Sequence, residues 1–253
     1  MIYKNRFDAF FDSERYIALK NHLYNYLLRK RAIEKSFDGE NIAMSLEVGS
    51  GISPMVTFSD RVIYTDLSFD AICMLRKSQR EGFHVVADTA NLPFRNASFS
   101  HVIASEVLEH LPDDTKALQE IAAVLKRYGR LIITIPHRRF YFANDDVYVG
   151  HHRRYEINEM LNQLETAGLH AVAVKKVLGP IEKATMMATV WCLSSIENKG
   201  RVVPSAGAIG YSKAFVALFR WINRLYAVLA RIDAAIMPQC LSSVLLIKAE
   251  KRT

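Results

Sequence analysis

The sequence predicts an α/β fold: a mostly parallel sheet with helices on both faces. Three observations predict it. Short apolar runs of strand length alternate with amphipathic stretches of helix length. The first apolar run, Ile42-Ala43-Met44-Ser45-Leu46, is followed by Gly49 and Gly51, which allow a sharp turn and let a ligand lie on bare main chain. The second run, Arg61-Val62-Ile63-Tyr64-Thr65, ends in Asp66. A strand, a glycine turn, a second strand and a carboxylate at its tip form a nucleoside-site pattern, the carboxylate accepting hydrogen bonds from ribose hydroxyls.

The 253 residues, half of them apolar and 23% charged, suffice for one α/β domain with an insertion. A net charge of +7 and a pI near 9.3 favour an anionic partner: nucleic acid, a membrane surface or a phosphorylated substrate. Cys73, Cys192 and Cys240 are scattered without metal-ligand spacing. That argues for a reducing cytoplasm and against a disulfide framework or zinc site. No signal peptide and no transmembrane run is expected, so the predicted location is cytoplasmic.

The first element is a helix from Ser13 to about Lys35, with Tyr16, Leu19, Leu23, Tyr26 and Leu27 at helical spacing and Arg29-Lys30-Arg31 near its negative end. It reads as an edge helix or as a lid before the nucleotide fold. After the two strands comes a helix from Ser68 to about Glu81, stopped by Gly82. Strands follow at His84–Asp88 and Phe99–Ser105, the second leading into one helical turn, Glu106–Leu111. A helix from Asp113 to Arg127, ended by Gly129, precedes a fifth strand, Leu131–Pro136. Ligands in such folds bind beyond the carboxyl ends of the strands, where Glu47, Asp66, Asp88 and Ser105 fall.

The dinucleotide reading of the glycine turn is weakened by Pro54, which occupies the sixth position, where a small residue packs helix on strand. Glu47 suits a cationic ligand bearing an amine, such as S-adenosylmethionine. Further on stand Asp88, Leu92-Pro93-Phe94, Phe99-Ser100-His101-Val102 and Val107-Leu108-Glu109-His110. As a set, from about Ile42 to Pro136, the chain resembles class I S-adenosylmethionine-dependent methyltransferases of the type 11 group. It departs from them at Ser53-Pro54, which replaces the third glycine and shortens the first helix, and at Ser100, where an acid is usual.

The resemblance implies a Rossmann-like doubly wound sheet of seven strands, the last antiparallel, and S-adenosylmethionine as cofactor. It implies that Gly49 and Gly51 pass beneath the methionine moiety and that Glu47 orients its amine. Asp66 would hold the ribose hydroxyls, and Asp88, with Thr89 beside it, would meet the adenine amino group. Ser105 would lie near the methionine end. Taken alone, Asp88 also reads as a helix N-cap.

The segment from His137 to Tyr155, which approaches the transferable methyl in the resembling enzymes, is dense in acid, base and anion-binding groups. His151 and His152, with His110 third, are the candidates for a general base, since histidine titrates near neutral pH. Arg153, Tyr155 and Tyr141 are the candidates for acceptor contacts. The other reading is a solvated basic loop with Tyr155 packed on the helix that follows, Glu156–Ala167. A sixth strand is expected at His170–Val174 and the seventh at Ser243–Ala249.

The organisation expected is an N-terminal helical segment (1–40), a cofactor-binding domain (41–178), a helical insertion (179–241) and the final strand (242–253). The insertion holds an apolar stretch, Ala184–Leu193, a Gly/Pro/Ser-rich linker at 200–210 and a helix from Tyr211 to about Ile236. On that helix Lys213, Arg220, Arg224 and Arg231 share one stripe beside Phe215, Leu218, Trp221, Ile222, Leu225, Leu229 and Ile232. It suits an anionic membrane interface, or a lid with its arginines in water.

The function expected is methyl transfer from S-adenosylmethionine to a small-molecule or lipid-linked O-, N- or C-nucleophile. The alternatives are a non-catalytic cofactor-binding or membrane-recruitment module and a nicotinamide-dependent oxidoreductase, which Pro54 and Asp88 disfavour. A nucleic-acid acceptor is disfavoured because no Asn-Pro-Pro-Tyr-like motif follows the fourth strand. No metal-binding cluster is evident in the sequence.

Overall fold

The computed structural model describes residues 20–37, 43–79, 81–197 and 213–252. The start of the first helix, with Tyr16 and Leu19, Ile42 of the first strand, and the linker at 200–210 lie outside the described residues. Seven strands, β1 (Ser45–Val48), β2 (Val62–Asp66), β3 (Phe83–Val86), β4 (Phe99–Ser105), β5 (Leu125–Pro136), β6 (Leu169–Leu178) and β7 (Val244–Lys251), form one sheet. Their spatial order is β3-β2-β1-β4-β5-β7-β6. The first five pair in parallel, and β7 inserts antiparallel between β5 and β6. The strand order reverses between β1 and β4, and that switch point is where ligands bind in open α/β sheets.

Seven helices are described: α1 (Tyr24–Glu34), α2 (Phe69–Ser78), α3 (Asp114–Val124), α4 (Asn144–Val149), α5 (Ile157–Thr166), α6 (Pro180–Glu197) and α7 (Lys213–Ile236). Ser68 Oγ accepts from Ala71 N at the start of α2, and Asp113 Oδ1 accepts from Lys116 N at the start of α3. One sheet face packs on α3 and α5 through Leu118, Ile121, Met160 and Leu164. The other packs on α1 through Tyr26, Leu28 and Ile33, with Ala230 of α7 in the same cluster.

Four details differ from the sequence reading. The shortened helix expected after β1 is absent, and residues 49–61 form a loop, buried from Gly51 to Val56. Pro54 offers no amide proton there. Glu47 instead takes the N–H groups of Met55 and Val56, at 2.7 and 3.0 Å. From α1, Tyr26 donates to Pro54 O at 2.8 Å and Lys30 to Thr57 Oγ1 at 2.8 Å, so α1 covers the loop.

The second difference is β5, which begins at Leu125 and not at Leu131, so the preceding helix stops at Val124 and not at Arg127. Ala97 N and Ser98 N take the carbonyls of Ala123 and Val124, and Leu125 pairs with Phe99. Gly129 therefore lies within the strand and does not end the helix. Third, α4 occupies part of the segment read as loop. Its first turn holds Asp145 and Asp146, and Gly150 closes it in the left-handed conformation. Fourth, β6 runs four residues beyond the expected end at Val174, to Leu178, where it pairs with Val244.

α7 packs against α1, α6 and β6 by its small and polar face. Asn223 Oδ1 accepts from Tyr24 N at 3.0 Å, and Asp233 Oδ2 accepts from Ile181 N at 3.0 Å, near the start of α6. With those polar groups satisfied inside, Leu218, Trp221, Ile222, Leu225, Val228, Leu229, Ile232 and Ile236 stand exposed.

Candidate active site

The carboxyl ends of β1, β2 and β4 meet at the glycine turn. Gly49 and Gly51 adopt φ of +62° and +55°, conformations that disfavour a side chain. A Cβ on Gly49 would fall 2.6 Å from Val107 Cγ2, so the turn after β4 lies directly on the glycine turn. Asp66 Oδ2 accepts from Gly51 N and Oδ1 from Ser68 N, both at 2.9 Å. Burial raises the Asp66 pKa, and those N–H groups partly offset the rise. Ala87 N bonds Asp66 O at 3.0 Å, which brings Asp88 beside Asp66 at the neighbouring strand end. Asp88 is exposed, its Oδ1 accepting from Ala90 N, and Thr89 is buried. Ser105 Oγ pairs with Thr134 Oγ1 at 2.9 Å.

Glu47 is buried, and both its oxygens are engaged by backbone N–H groups of the loop. Burial pushes its pKa up to about 7, with the Met55 and Val56 N–H groups and Lys30 opposing. Its observed contacts are therefore with the loop that shapes the turn. Two hydroxyls of that loop, Ser50 Oγ and Ser53 Oγ, are buried without a hydrogen-bond partner among the described residues. A cradle without side chains, two orphaned hydroxyls and two adjacent carboxylates fit a nucleoside ligand with a ribose, an adenine amine and a polar tail.

Past β4, a 3-10 turn carries Glu109 and His110. The 137–155 segment lays His151 against them, the two imidazole rings meeting edge-on with centroids 4.7 Å apart. Glu109 is fully buried, and neither carboxylate oxygen has a hydrogen-bond partner among the described residues. Burial, reinforced by the Glu106 charge, raises its pKa well above the usual carboxylate range. His151 Nε2 lies 3.8 Å from Glu109 Oε1, and His151 Nδ1 lies 2.9 Å from Asp146 Oδ1. His110 Nδ1 faces Gly150 O at 3.2 Å. The sequence showed no metal-type cluster, yet the fold brings Glu109, His110 and His151 together with one ligand atom each within 4.8 Å of the others.

The remaining predicted residues divide. His152 is exposed, and its amide donates to Glu109 O at 2.8 Å. Arg153 pairs with Asp114 at 3.0 Å and donates to Leu111 O and Pro112 O. Tyr155 is buried, its hydroxyl donating to Asp114 Oδ2 at 2.7 Å, and burial raises its pKa far above the usual value. Tyr141 donates to Leu241 O at 3.2 Å. The packing of Tyr155 against the helices is the alternative that the sequence left open.

Sequence reasoning missed the charges behind the cluster. Arg154, buried, places Nε 2.8 Å from Asp146 Oδ1, and Lys183 reaches Asp145 and Asp146 at 2.6 Å each. Burial alone would raise the Asp146 pKa; His151, Arg154 and Lys183 outweigh it and hold it well below normal. Arg29 of α1 pairs with Glu106 at 3.0 Å. Lys20, lowered to about 8 chiefly by burial and by the Arg29 charge, lies close enough to interact with Asp66. In the sequence Arg154 was one charged residue beside Arg153 in a segment read as loop, Lys183 lay in the insertion, and Lys20 and Arg29 lay in the first helix. A surface depression of about 510 Å³ near Thr115 and Glu159 lies away from these groups.

The methyltransferase-domain family profile matches residues 46–133, spanning the glycine turn, both strand-end carboxylates and the Glu109-His110 turn. Residues 46–133, about a third of the chain, carry a methyltransferase domain. Among relatives of this methyltransferase domain, the demethylmenaquinone methyltransferase of Thermotoga maritima is 28% identical over 131 residues, 46% of this chain and 57% of that protein. The chain spans about half the length of the curated relatives it matches. Among solved structures, a SAM-dependent methyltransferase of Thermotoga maritima superposes with a TM-score of 0.59 at 17% identity, covering 97% of each chain. Phosphoethanolamine N-methyltransferase 2 of Haemonchus contortus, in complex with S-adenosyl-L-methionine, gives 0.57 at 16% identity, covering 89% of this chain and 52% of that one. These two likenesses establish the shared fold.

Proposed function

We propose that the protein is an enzyme that transfers the methyl group of S-adenosylmethionine to a small-molecule or lipid-linked acceptor. The observation that carries this reading is the packing of Val107 on Gly49. It joins the cofactor cradle to the Glu109, His110 and His151 cluster within a few residues. S-adenosylmethionine, when bound, supplies a methyl group made electrophilic by its sulfonium. The protein's part is positioning. Gly49 and Gly51 would leave room for the methionine end, with Ser105 nearby. Asp66 would hold the ribose, and Asp88 with Thr89 the adenine. His110 and His151 would face the acceptor and handle the proton it loses, with His152 exposed alongside. Glu47, Arg153 and Tyr155 would shape the site through the loop and the 3-10 turn they fasten, and Tyr141 would line the acceptor entrance.

A lipid-linked acceptor is favoured by α7. Its apolar side is exposed beside the arginine stripe, with Trp221 63% exposed. That arrangement suits a helix lying in an anionic membrane interface. No described helix is long and apolar enough to cross a membrane. The acceptors named for two relatives, demethylmenaquinone and phosphoethanolamine, support the small-molecule or lipid-linked class.

The deciding experiment is a methyl-transfer screen with labelled S-adenosylmethionine over lipid and aqueous cell extracts. Label in an extractable small or lipid product supports the proposal. Cofactor binding by calorimetry without transfer to any fraction would make the chain a binding module.

A further inference from the structure

We propose that Glu109, His110 and His151 form a site for one divalent transition-metal ion, beside the cofactor cradle. The first observation is Glu109, a carboxyl group at 0% exposure with no hydrogen bond to either oxygen among the described residues. Native folds seldom bury such a group without a partner. The cations around it are committed elsewhere: Arg29 to Glu106, Arg154 to Asp146, and Lys183 to Asp145 and Asp146.

The second observation is the orientation of the imidazoles. His151 Nδ1 faces the Asp146 carboxylate at 2.9 Å, and His110 Nδ1 faces the Gly150 carbonyl at 3.2 Å. Both partners are acceptors only, so each Nδ1 donates, and a neutral ring held this way carries its lone pair on Nε2. That is the tautomer of a metal ligand, with the carboxylate-histidine-metal relay that fixes ring orientation. Asp146 is itself anchored by Arg154 and Lys183.

Tetrahedral ligands at about 2.1 Å from a metal stand roughly 3.3 Å apart. His151 Nε2 and Glu109 Oε1 are 3.8 Å apart, so a small side-chain movement closes the site. Two imidazoles and one carboxylate select an ion such as zinc, manganese or iron(II) over magnesium or calcium. Three protein ligands leave coordination positions open. On the methyl-transfer reading, and resting on it, those positions bind an oxygen of the acceptor, which places the acceptor among hydroxyl-bearing compounds. With the ion bound, His151 Nε2 is a ligand; the ion lowers the proton affinity of the acceptor hydroxyl, its proton passes to solvent water, and the oxygen takes the methyl as the sulfonium carbon–sulfur bond breaks.

The test uses the full chain, stripped with chelator and titrated with zinc by calorimetry, with cobalt absorption as the spectroscopic signature. Magnesium is the control ion. One zinc per chain is expected, with a rise in melting temperature. Glu109→Gln and His151→Ala should each weaken zinc at least tenfold, and Asp146→Asn by about tenfold or more. His170→Ala, at a distant residue paired with Glu165, should change nothing. The melting curve of Glu109→Gln, which keeps the side chain's shape, establishes that the variant is folded, so a lost zinc affinity is read as a lost ligand. The proposal is overturned if the wild type takes up no zinc, or if the Glu109→Gln, His151→Ala double variant binds it as tightly. S-adenosylmethionine titration of the same variants is read separately, so loss of the metal site and loss of the methyltransferase reading are distinguishable.

Discussion

Asp146 accepts the Nδ1 proton of His151 across 2.9 Å while also receiving Arg154 Nε at 2.8 Å. One buried carboxylate thus ties α4, the 151–154 segment and, through Lys183, α6. Asp146→Ala would leave Arg154 with its carboxylate partner removed in a buried setting. The expected loss is about 3–5 kcal/mol, the range for breaking a buried ion pair from one side. Asp146→Asn should lose less. Urea denaturation at neutral pH measures both, and a loss near zero for Asp146→Ala would mean the network is not closed in solution.

Asp66 and Gly49 test the cofactor cradle. Asp66→Ala should weaken S-adenosylmethionine binding by roughly 1–3 kcal/mol, since it strands hydrogen-bonding partners. Gly49→Val should abolish it, because the new side chain meets Val107 and a φ of +62° that a β-branched residue resists. Adding Val107→Ala relieves the contact but not the backbone conformation, so it should recover little. Calorimetric affinities indistinguishable from wild type in Asp66→Ala and Gly49→Val would remove the cradle from this turn.

Glu47 gives the stability a pH dependence. Its pKa rises from 4.5 to about 7 on folding, chiefly through burial. The folded state therefore binds more protons than the unfolded state between those values. This contribution is fully present below pH 4.5 and is lost as the pH rises through 7. At 1.36 kcal/mol per unit its full size is on the order of 3 kcal/mol. Denaturation free energies of the wild type should fall between pH 5 and 7.5 more steeply than those of Glu47→Gln; parallel curves would assign the dependence to other groups.

The arginine stripe predicts salt-sensitive binding to anionic vesicles. Arg224 and Arg231 are exposed beside Trp221 and Ile232, and each cation near the surface contributes about 1 kcal/mol. Arg224→Glu with Arg231→Glu should weaken vesicle sedimentation by at least tenfold. High salt should weaken the wild type, since exposed charges are screened beyond about 8 Å at physiological ionic strength. A wild type that stays in the supernatant at low salt would leave the apolar side of α7 to some other partner.

The α/β alternation and the glycine turn were legible from the chain alone, because these are local: residues near one another in the chain decide where a strand stops and a turn begins. β4 emerged with its expected bounds, Phe99–Ser105, since residues from both its faces are buried along its length. What pairs across the chain was not legible. β5 starts at Leu125 because Phe99 pairs with it, and Lys126, Arg127 and Tyr128 follow as an exposed strand that local pattern cannot separate from a helix end. The inward side of α7 is polar because Tyr24 N and Ile181 N, remote in sequence, supply the partners of Asn223 and Asp233. Glu109 and His110 were visible as neighbours, but His151 joins them only through the path from β5 to α4, and Arg154 and Lys183 only through the packing of α4 on α6. Charge burial is a property of the assembled molecule: a carboxylate becomes costly, paired or ligand-like only when the elements around it exclude water, and no stretch of sequence fixes that alone.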